Sequence, residues 1–211
     1  MKKIVFSFLV AILCSISALP AAEAAPTLKY GSQGGDVWDL QFRLKIIGYY
    51  NERMDGVYGY KTAQAVRKFQ KDYGLKVDGI AGTQTWKTLK KVSVNAYELT
   101  MLARIVHGEA RGEPYKGKVA VAAVVMNRLQ SPLFPDTVAG VIFQPGAFTA
   151  VDDGQYWLKP DASAYAAAWD AVRGWDPTYG ALYYFNPQTA TSKWIWSRKQ
   201  TVKIGKHIFA L

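Results

Sequence analysis

The sequence predicts an α+β chain in two parts: a small three-helix unit over residues 28–92, then a mainly helical domain with a small β-sheet over residues 95–211. Three observations predict it. An Asp-Gly motif recurs inside the first segment, between short stretches of helical periodicity. The run from Lys118 to Met126 is apolar on nearly every side, as a fully buried helix is. Aromatic and β-branched residues gather near the C-terminal end in segments of strand length.

Ahead of both parts, Met1-Lys2-Lys3 precedes an apolar run from Ile4 to Leu19 and then Ala22-Glu23-Ala24. A basic start, a short apolar stretch and small residues at a cleavage point make residues 1–24 a secretory signal peptide. The stretch is too short and wrongly flanked for a stable membrane span. Cleavage is expected after Ala24, since Pro26 disfavours Ala25. The only cysteine, Cys14, lies inside the signal. The mature chain then has neither disulfides nor a thiol nucleophile, and packing has to stabilise it. It would carry 24 basic and 15 acidic side chains. In a secreted protein that excess points to an anionic partner. An acidic cell-wall polymer fits better than nucleic acid, because no basic run is long enough for a nucleic-acid tail.

In the first part, Asp55-Gly56-Val57-Tyr58-Gly59-Tyr60-Lys61-Thr62 returns as Asp78-Gly79-Ile80-Ala81-Gly82-Thr83-Gln84-Thr85, 23 positions on. In both copies Asp-Gly makes a turn, a second glycine permits a tight backbone, and a threonine opens a helix. Val37, Leu40, Gln41, Leu44 and Ile47 mark the first helix. Ala63, Val66, Phe69, Gln70 and Tyr73 mark the second, and Trp86 and Leu89 a short third. A body of this size has a marginal core, so Trp38, Phe42, Phe69 and Trp86 are expected to pack. Lys90 to Asn95 contains no Pro-Gly-Ser spacer, so the two parts should lie close together.

The second part opens at Asn95, with Glu98 three residues on as a capping signal. Leu99, Leu102, Ala103 and Val106 then recur on one helix face. The period breaks across Gly108-Glu109-Ala110-Arg111-Gly112-Glu113-Pro114, which leaves Glu109 at the end of one helix, facing the buried one. A carboxylate in apolar surroundings has its ionised form disfavoured, so its pKa rises. It becomes a usable general acid, the requirement for protonating a glycosidic oxygen. The alternative is a solvated turn residue paired with Arg104 or Arg111. Asn127 and Arg128 close the buried helix, either lining a cleft or capping its end. Beyond Leu129, residues 131–137 are a loop and Val138 to Ile142 a short helix. Phe143 to Val151, around Pro145-Gly146, is expected to be a small hairpin. Ser163 to Arg173 is helical, with alanines that allow close packing. Ala181 to Asn186 and Thr201 to Phe209 are strands or extended segments. Tyr183, Tyr184, Phe185, Trp194 and Trp196 crowd one interval, where both core packing and sugar stacking would use them.

The residues that are missing exclude most wall chemistries. Thiol peptidases and transpeptidases need a cysteine. Zinc enzymes need several His, Cys or Asp ligands, whereas His107 and His207 stand far apart with no HExxH, so no metal or other cofactor is expected. His107-Gly108-Glu109 matches the H-x-E of zinc deaminases, but their C-x-x-C is absent. No mature serine has lysine three residues on, which excludes the penicillin-binding type. Glycan cleavage by carboxyl chemistry survives. For a two-carboxyl glycosidase, Glu113, Asp152 and Asp153 are the candidate second carboxylates. His107, Glu113 and Asn127 are candidates for supporting Glu109. Gln144, Thr149, Tyr184 and Asn186 are candidates for hydrogen-bonding a glycan, and Phe148 for stacking on it. For each of these, packing or turn chemistry is an equal alternative.

VWDLQFRLKIIGYY, DGVYGYKTAQAVRKFQKDYGL and VDGIAGTQTW resemble the peptidoglycan-binding domain 1 family, a small three-helix wall-anchoring module. Residues 26–94 carry 12 basic against 6 acidic side chains, and the remainder 12 against 9, which suits a docking element. ARIVHGEARGEPYKGKVAVAAVVMNRL, with FPDTVAGVIFQPGAFTAV, ALYYFN and KIGKHIF, resembles the catalytic domain of spore cortex-lytic enzymes of the SleB type. That resemblance implies a compact lysozyme-like α+β fold and lytic transglycosylation of cortex glycan strands during germination. It places the family's glutamate on Glu109, and the enzyme outside the cytoplasm, at the spore cortex or the forespore inner membrane surface. Such a reaction needs one acid. Glu109 would protonate the leaving oxygen and then, as carboxylate, accept the proton of the muramyl C6 hydroxyl, which closes a 1,6-anhydro ring. The tethered nucleophile avoids much of the entropy of a bimolecular attack. Peptidoglycan glycan strands are the expected partner, with no nucleic acid; an inhibitory or stabilising membrane protein partner is left open. A hydrolytic muramidase or glucosaminidase, and a non-catalytic wall-binding protein, are the alternatives.

Overall fold

In the computed structural model, which describes residues 25–211, the first body is built from α1 (Gly35–Ile46), α2 (Tyr60–Asp72) and α3 (Thr83–Val92). The expected signal peptide, residues 1–24, lies outside the described residues. Leu40, Leu44, Tyr58, Val66, Phe69, Trp86 and Leu89 form the core between the helices. The internal repeat is one device used twice. Gln41 of α1 is buried; its Nε2 donates to Asp55 Oδ1 at 2.9 Å, to the Val57 carbonyl and to Thr62, while its Oε1 accepts from the Asp55 and Gly56 amides. Gln70 of α2 repeats this with Asp78 at 2.9 Å, the Ile80 carbonyl, Thr85 and the Gly79 amide. Gly56 at φ 70° and Gly79 at φ 72° take the left-handed backbone that these turns require and that other residues avoid. A buried amide with every donor and acceptor matched stabilises, where a half-matched one would not.

Arg43 joins the first body to the second. It is 2% exposed. Its Nη1 donates to the Ser93 carbonyl at 3.2 Å, its Nη2 pairs with Glu98 at 2.9 Å and its Nε with Asp39 at 3.2 Å. Glu98 also accepts from the Asn95 amide at 2.8 Å, while Asn95 Oδ1 accepts from the Glu98 amide at 2.8 Å. That is the capping box expected from the sequence, and it starts α4 (Ala96–Ala110). Nearby, Ile46 of α1 lies in the core of the second body. Phe42 meets Trp169 edge-on at 6.4 Å, and Trp38, stacked on Phe42 at 5.4 Å, remains partly exposed. The two bodies therefore share a packed interface.

At the centre of the second body stands α5 (Tyr115–Gln130), in which every residue from Gly117 to Met126 is buried. It is followed by α6 (Val138–Ile142), α7 (Thr149–Asp152), a 3-10 turn (Gln155–Trp157) and α8 (Ala162–Val172). Val106 of α4, Val119, Ala122 and Ala123 of α5, and Ala164, Ala167 and Ala171 of α8 pack together, their small side chains permitting close approach. The chain ends with β1 (Tyr183–Phe185), α9 (Lys193–Trp196), β2 (Gln200–Ile204) and β3 (His207–Ala210). These strands form one antiparallel sheet in the order β1-β3-β2, with Tyr184 opposite Phe209. No helix among the described residues is long and apolar enough to cross a membrane.

Two expectations are corrected here. Residues 143–151 form no hairpin. Ala147 closes a turn on Gln144, and the chain then enters α7, whose Ala150 amide is taken by a side chain of α4 rather than by a partner strand. Residues 201–209 are strand as expected, but as the two arms of the β2–β3 hairpin turned at Gly205 with φ 57°, not as one continuous segment.

Gly108, in the last turn of α4, faces α7 so closely that a Cβ there would fall on Ala150 Cβ. Gly108→Ala should therefore destabilise the protein by about 1–3 kcal/mol, the range for overpacking a tight contact, read from its urea midpoint. Arg43→Met should cost about 3 kcal/mol, the lower end for removing one partner of a buried pair because Glu98 keeps some contact with water. An unchanged midpoint in Arg43→Met would mean that the two bodies do not depend on this contact.

Candidate active site

Glu109 sits in the last turn of α4, where three elements meet. Its Oε1 accepts from the Ala150 amide of α7 at 2.6 Å, and its Oε2 from the Tyr184 hydroxyl of β1 at 3.0 Å. The first bond also satisfies one of the free amides at the start of α7. Burial raises the Glu109 carboxyl above its ordinary value; the Ala150 amide and Tyr184 hydroxyl pull it back, and the charges of Asp153 and Asp152 push it up again. Desolvation wins. The Tyr184 hydroxyl is itself held well above the usual phenol range by burial and by Glu109, so it stays a donor. His207 of β3 packs edge-on against the Tyr184 ring at 5.1 Å and fixes its position from behind.

Beside this carboxyl opens a cavity of about 340 Å³, walled by Gln144, Gly146, Tyr183, Tyr184 and Trp194, with Arg128 of α5 among its lining. Trp194 is 53% exposed and meets Tyr183 edge-on at 5.0 Å, which leaves aromatic surface open to a sugar ring. Arg128 lies in the last turn of α5; its Nε donates to the Leu182 carbonyl at 2.7 Å, and its guanidinium rests 5.0 Å from the Phe148 ring and 5.1 Å from that of Phe134.

Of the residues singled out from the sequence, Tyr184 and Gln144 line this cavity, and Glu109, outside its lining, is joined to it through the Tyr184 hydroxyl. Thr149 is exposed at the start of α7. Phe148 does not offer a stacking face: it is 2% exposed and serves as packing beneath Arg128. Asn186 is a turn residue, its Oδ1 accepting from the Gln188 amide at 3.0 Å. His107 points toward α8, with Nδ1 3.6 Å from Asp161, and makes no contact with Glu109. Two helical positions before Glu109, it projects from another side of α4. Glu113 lies beyond the end of α4 and accepts from the Lys206 amide at 3.0 Å, filling the space that a Cβ on Gly205 would need. Its role is to hold the β2–β3 turn. Asn127 donates to Asp176 at 3.0 Å and to the Ala181 carbonyl at 3.1 Å, fastening the segment before β1. Asp153 accepts from the Gln155 amide and side chain at 3.0 and 2.6 Å, and both it and Asp152 are exposed at the end of α7. The Ala150 amide went unseen in the sequence, because a backbone donor leaves no signature in residue type. Among the described residues, no group of three or more His, Cys, Asp or Glu side chains is placed to hold a metal ion.

Residues 112–210 match a family model described as Cell Wall Hydrolase, and residues 33–89 one described as Putative peptidoglycan binding domain. Glu109 lies just ahead of the first match. The spore cortex-lytic enzyme of Bacillus cereus is 47% identical, across 86% of this chain and 85% of its own. That of Bacillus subtilis is 38% identical across 98% of this chain and 96% of its own. The second alignment runs over 293 positions, more than the 211 residues of this chain, so that relative carries insertions absent here. Among solved structures, the catalytic domain of the germination-specific lytic transglycosylase SleB from Bacillus anthracis is 61% identical at a TM-score of 0.54, over 56% of this chain and 97% of that one. The catalytic domain of the Bacillus cereus SleB protein is 62% identical at a TM-score of 0.52, over 54% and 89%. Identity of this extent across most of both chains makes the protein a member of the spore cortex-lytic enzyme family.

Proposed function

We propose that the protein is a peptidoglycan lytic transglycosylase of the spore cortex in which Glu109 acts first as general acid and then as general base. The observation that carries this is a largely buried carboxyl held by two hydrogen-bond donors, one of which, Tyr184, lines a cavity with an open aromatic face. Protonated Glu109 gives its proton to the glycosidic oxygen as the C1–O bond breaks. The carboxylate so formed is stabilised by the Ala150 amide and the Tyr184 hydroxyl. It then accepts the proton of the muramyl C6 hydroxyl as that oxygen bonds to C1, which closes the 1,6-anhydro ring and restores the acid. Since the nucleophile belongs to the same sugar, no second carboxylate has to position a water. Residues 28–92 act as the wall-binding module, residues 95–211 as the catalytic domain, and residues 1–24 as the export signal. The enzyme works outside the cytoplasm on the cortex glycan that its relatives' names point to.

Glu109→Gln should lower kcat on purified cortex by roughly 10²–10⁴-fold, the usual contribution of a positioned general acid–base, with the fold intact by circular dichroism. Mass spectrometry of the wild-type products should find chain ends one water lighter than hydrolytic ones; reducing ends of full mass would make the enzyme a muramidase or glucosaminidase instead. The acid is present below the Glu109 pKa and lost as pH rises through it. Tyr184 bonds to the ionised form and so lowers that pKa. In Tyr184→Phe the alkaline limb of kcat/KM should move to higher pH; a limb that stays put or moves down would contradict Glu109 as the acid.

A further inference from the structure

We propose that Arg128 recognises a carboxylate on the C3 substituent of muramic acid and so selects which glycan strands the cleft accepts. This rests on the peptidoglycan-cleaving function above and names the group that one wall of the cleft reads. Arg128 is 6% exposed, yet it borders the cavity beside Gln144, Tyr183, Tyr184 and Trp194. Its Nε is used on the Leu182 carbonyl. Its Nη1 is buried with no hydrogen-bond partner among the described residues. The ion pairs of the described residues involve Arg43, Lys61, Lys76, His107 and Lys118, but not Arg128. No acidic side chain lines the cavity.

A buried cation without a counter-charge is unfavourable, and holding one carbonyl does not require it, since a glutamine amide donates as well. The Phe134, Phe148 and Tyr183 rings, at 5.1, 5.0 and 5.8 Å, hold the guanidinium in place by cation–π contact without using its remaining N–H donors. A planar fork of donors matches a carboxylate through two parallel bonds. Glu109 is near enough for its charge to act on Arg128 but forms no ion pair with it, and while it carries the proton it must donate it supplies no counter-charge. A second cation, Arg198, lies 5.3 Å from the Tyr183 ring and 5.4 Å from that of Trp194, both of which line the cavity. Tyr184 spans the two features, with its hydroxyl on Glu109 and its side chain in the cavity wall. A muramyl residue with its C1 at Glu109 and its ring in this cavity would present its C3 substituent to the wall that carries Arg128. In peptidoglycan that substituent bears a carboxylate either on the bare lactyl group or on the attached peptide.

The test compares the full-length enzyme on four soluble substrates. These are peptide-bearing strands, strands stripped of peptide to expose the lactyl carboxylate, and each of these after conversion of carboxyls to carboxamides. In the wild type, amidation should raise KM at least tenfold with little change in kcat, in whichever arm supplies the carboxylate; that arm identifies its source. Arg128→Gln, which keeps a donor for Leu182, should show equal KM on acid and amide forms, and Arg128→Lys should retain part of the preference. Equal KM for acid and amide in both arms of the wild type overturns the assignment while leaving Glu109 chemistry standing. A preference that persists in Arg128→Gln overturns it too. Failure to cleave any strand overturns both proposals. Should Arg128→Gln not fold, the wild-type comparison decides alone.

Discussion

A carboxyl group taken out of water, yet still able to give and take a proton, is the demand around which the second body is built. Glu109 is held by one backbone amide and one phenol, and every neighbouring element is placed to supply them. Helix α7 must be helical at Ala150 for that amide to be free of a backbone acceptor. Gly108 must lack a side chain for α7 to approach α4. Strand β1 must sit at one height for Tyr184 to reach the carboxyl, and it is held there by pairing with β3. Arg128 and Asn127 fasten the Leu182 and Ala181 carbonyls to the end of α5. Glu113 closes the turn that brings β3 back. Side chains far from the chemistry are thereby committed to the position of two hydrogen bonds.

Burial shifts the balance of Glu109 toward the acid form. Two hydrogen bonds to the ionised form would normally depress a carboxyl pKa, but burial opposes them and the exposed Asp152 and Asp153 add to its effect. The result is a group whose protonated form is favoured more than in a solvated carboxyl and whose carboxylate has donors waiting once the proton has gone. Pre-set donors lower the energy of the charge that develops, without any reorganisation at the moment it appears.

The first body is joined to the second by more than covalent continuity. Arg43 bridges Asp39 of α1, the Ser93 carbonyl at the junction and Glu98, the residue that caps α4. Since Glu109 lies in the last turn of α4, the first body is packed against the helix that carries the proposed acid. The junction between the bodies is short, and Arg43 and Ile46 of the first body pack across it onto the second.

Local patterns settled much of this in advance. The repeated Asp-Gly turns, the Asn95–Glu98 capping box, the fully buried α5 and the break after Glu109 all depend on residues close in sequence, where periodicity and turn chemistry are legible. Missing cysteine and clustered ligands narrowed the chemistry to a carboxyl group. Tertiary structure decided the rest, because it turns on contacts between distant segments. Whether Phe148 faces a sugar or supports an arginine, whether Glu113 helps Glu109 or a hairpin turn, and whether residues 143–151 pair as strands depend on what lies opposite them. The burial that raises the Glu109 pKa is likewise a property of three elements meeting, of which the residue's own neighbours in the chain supply only one.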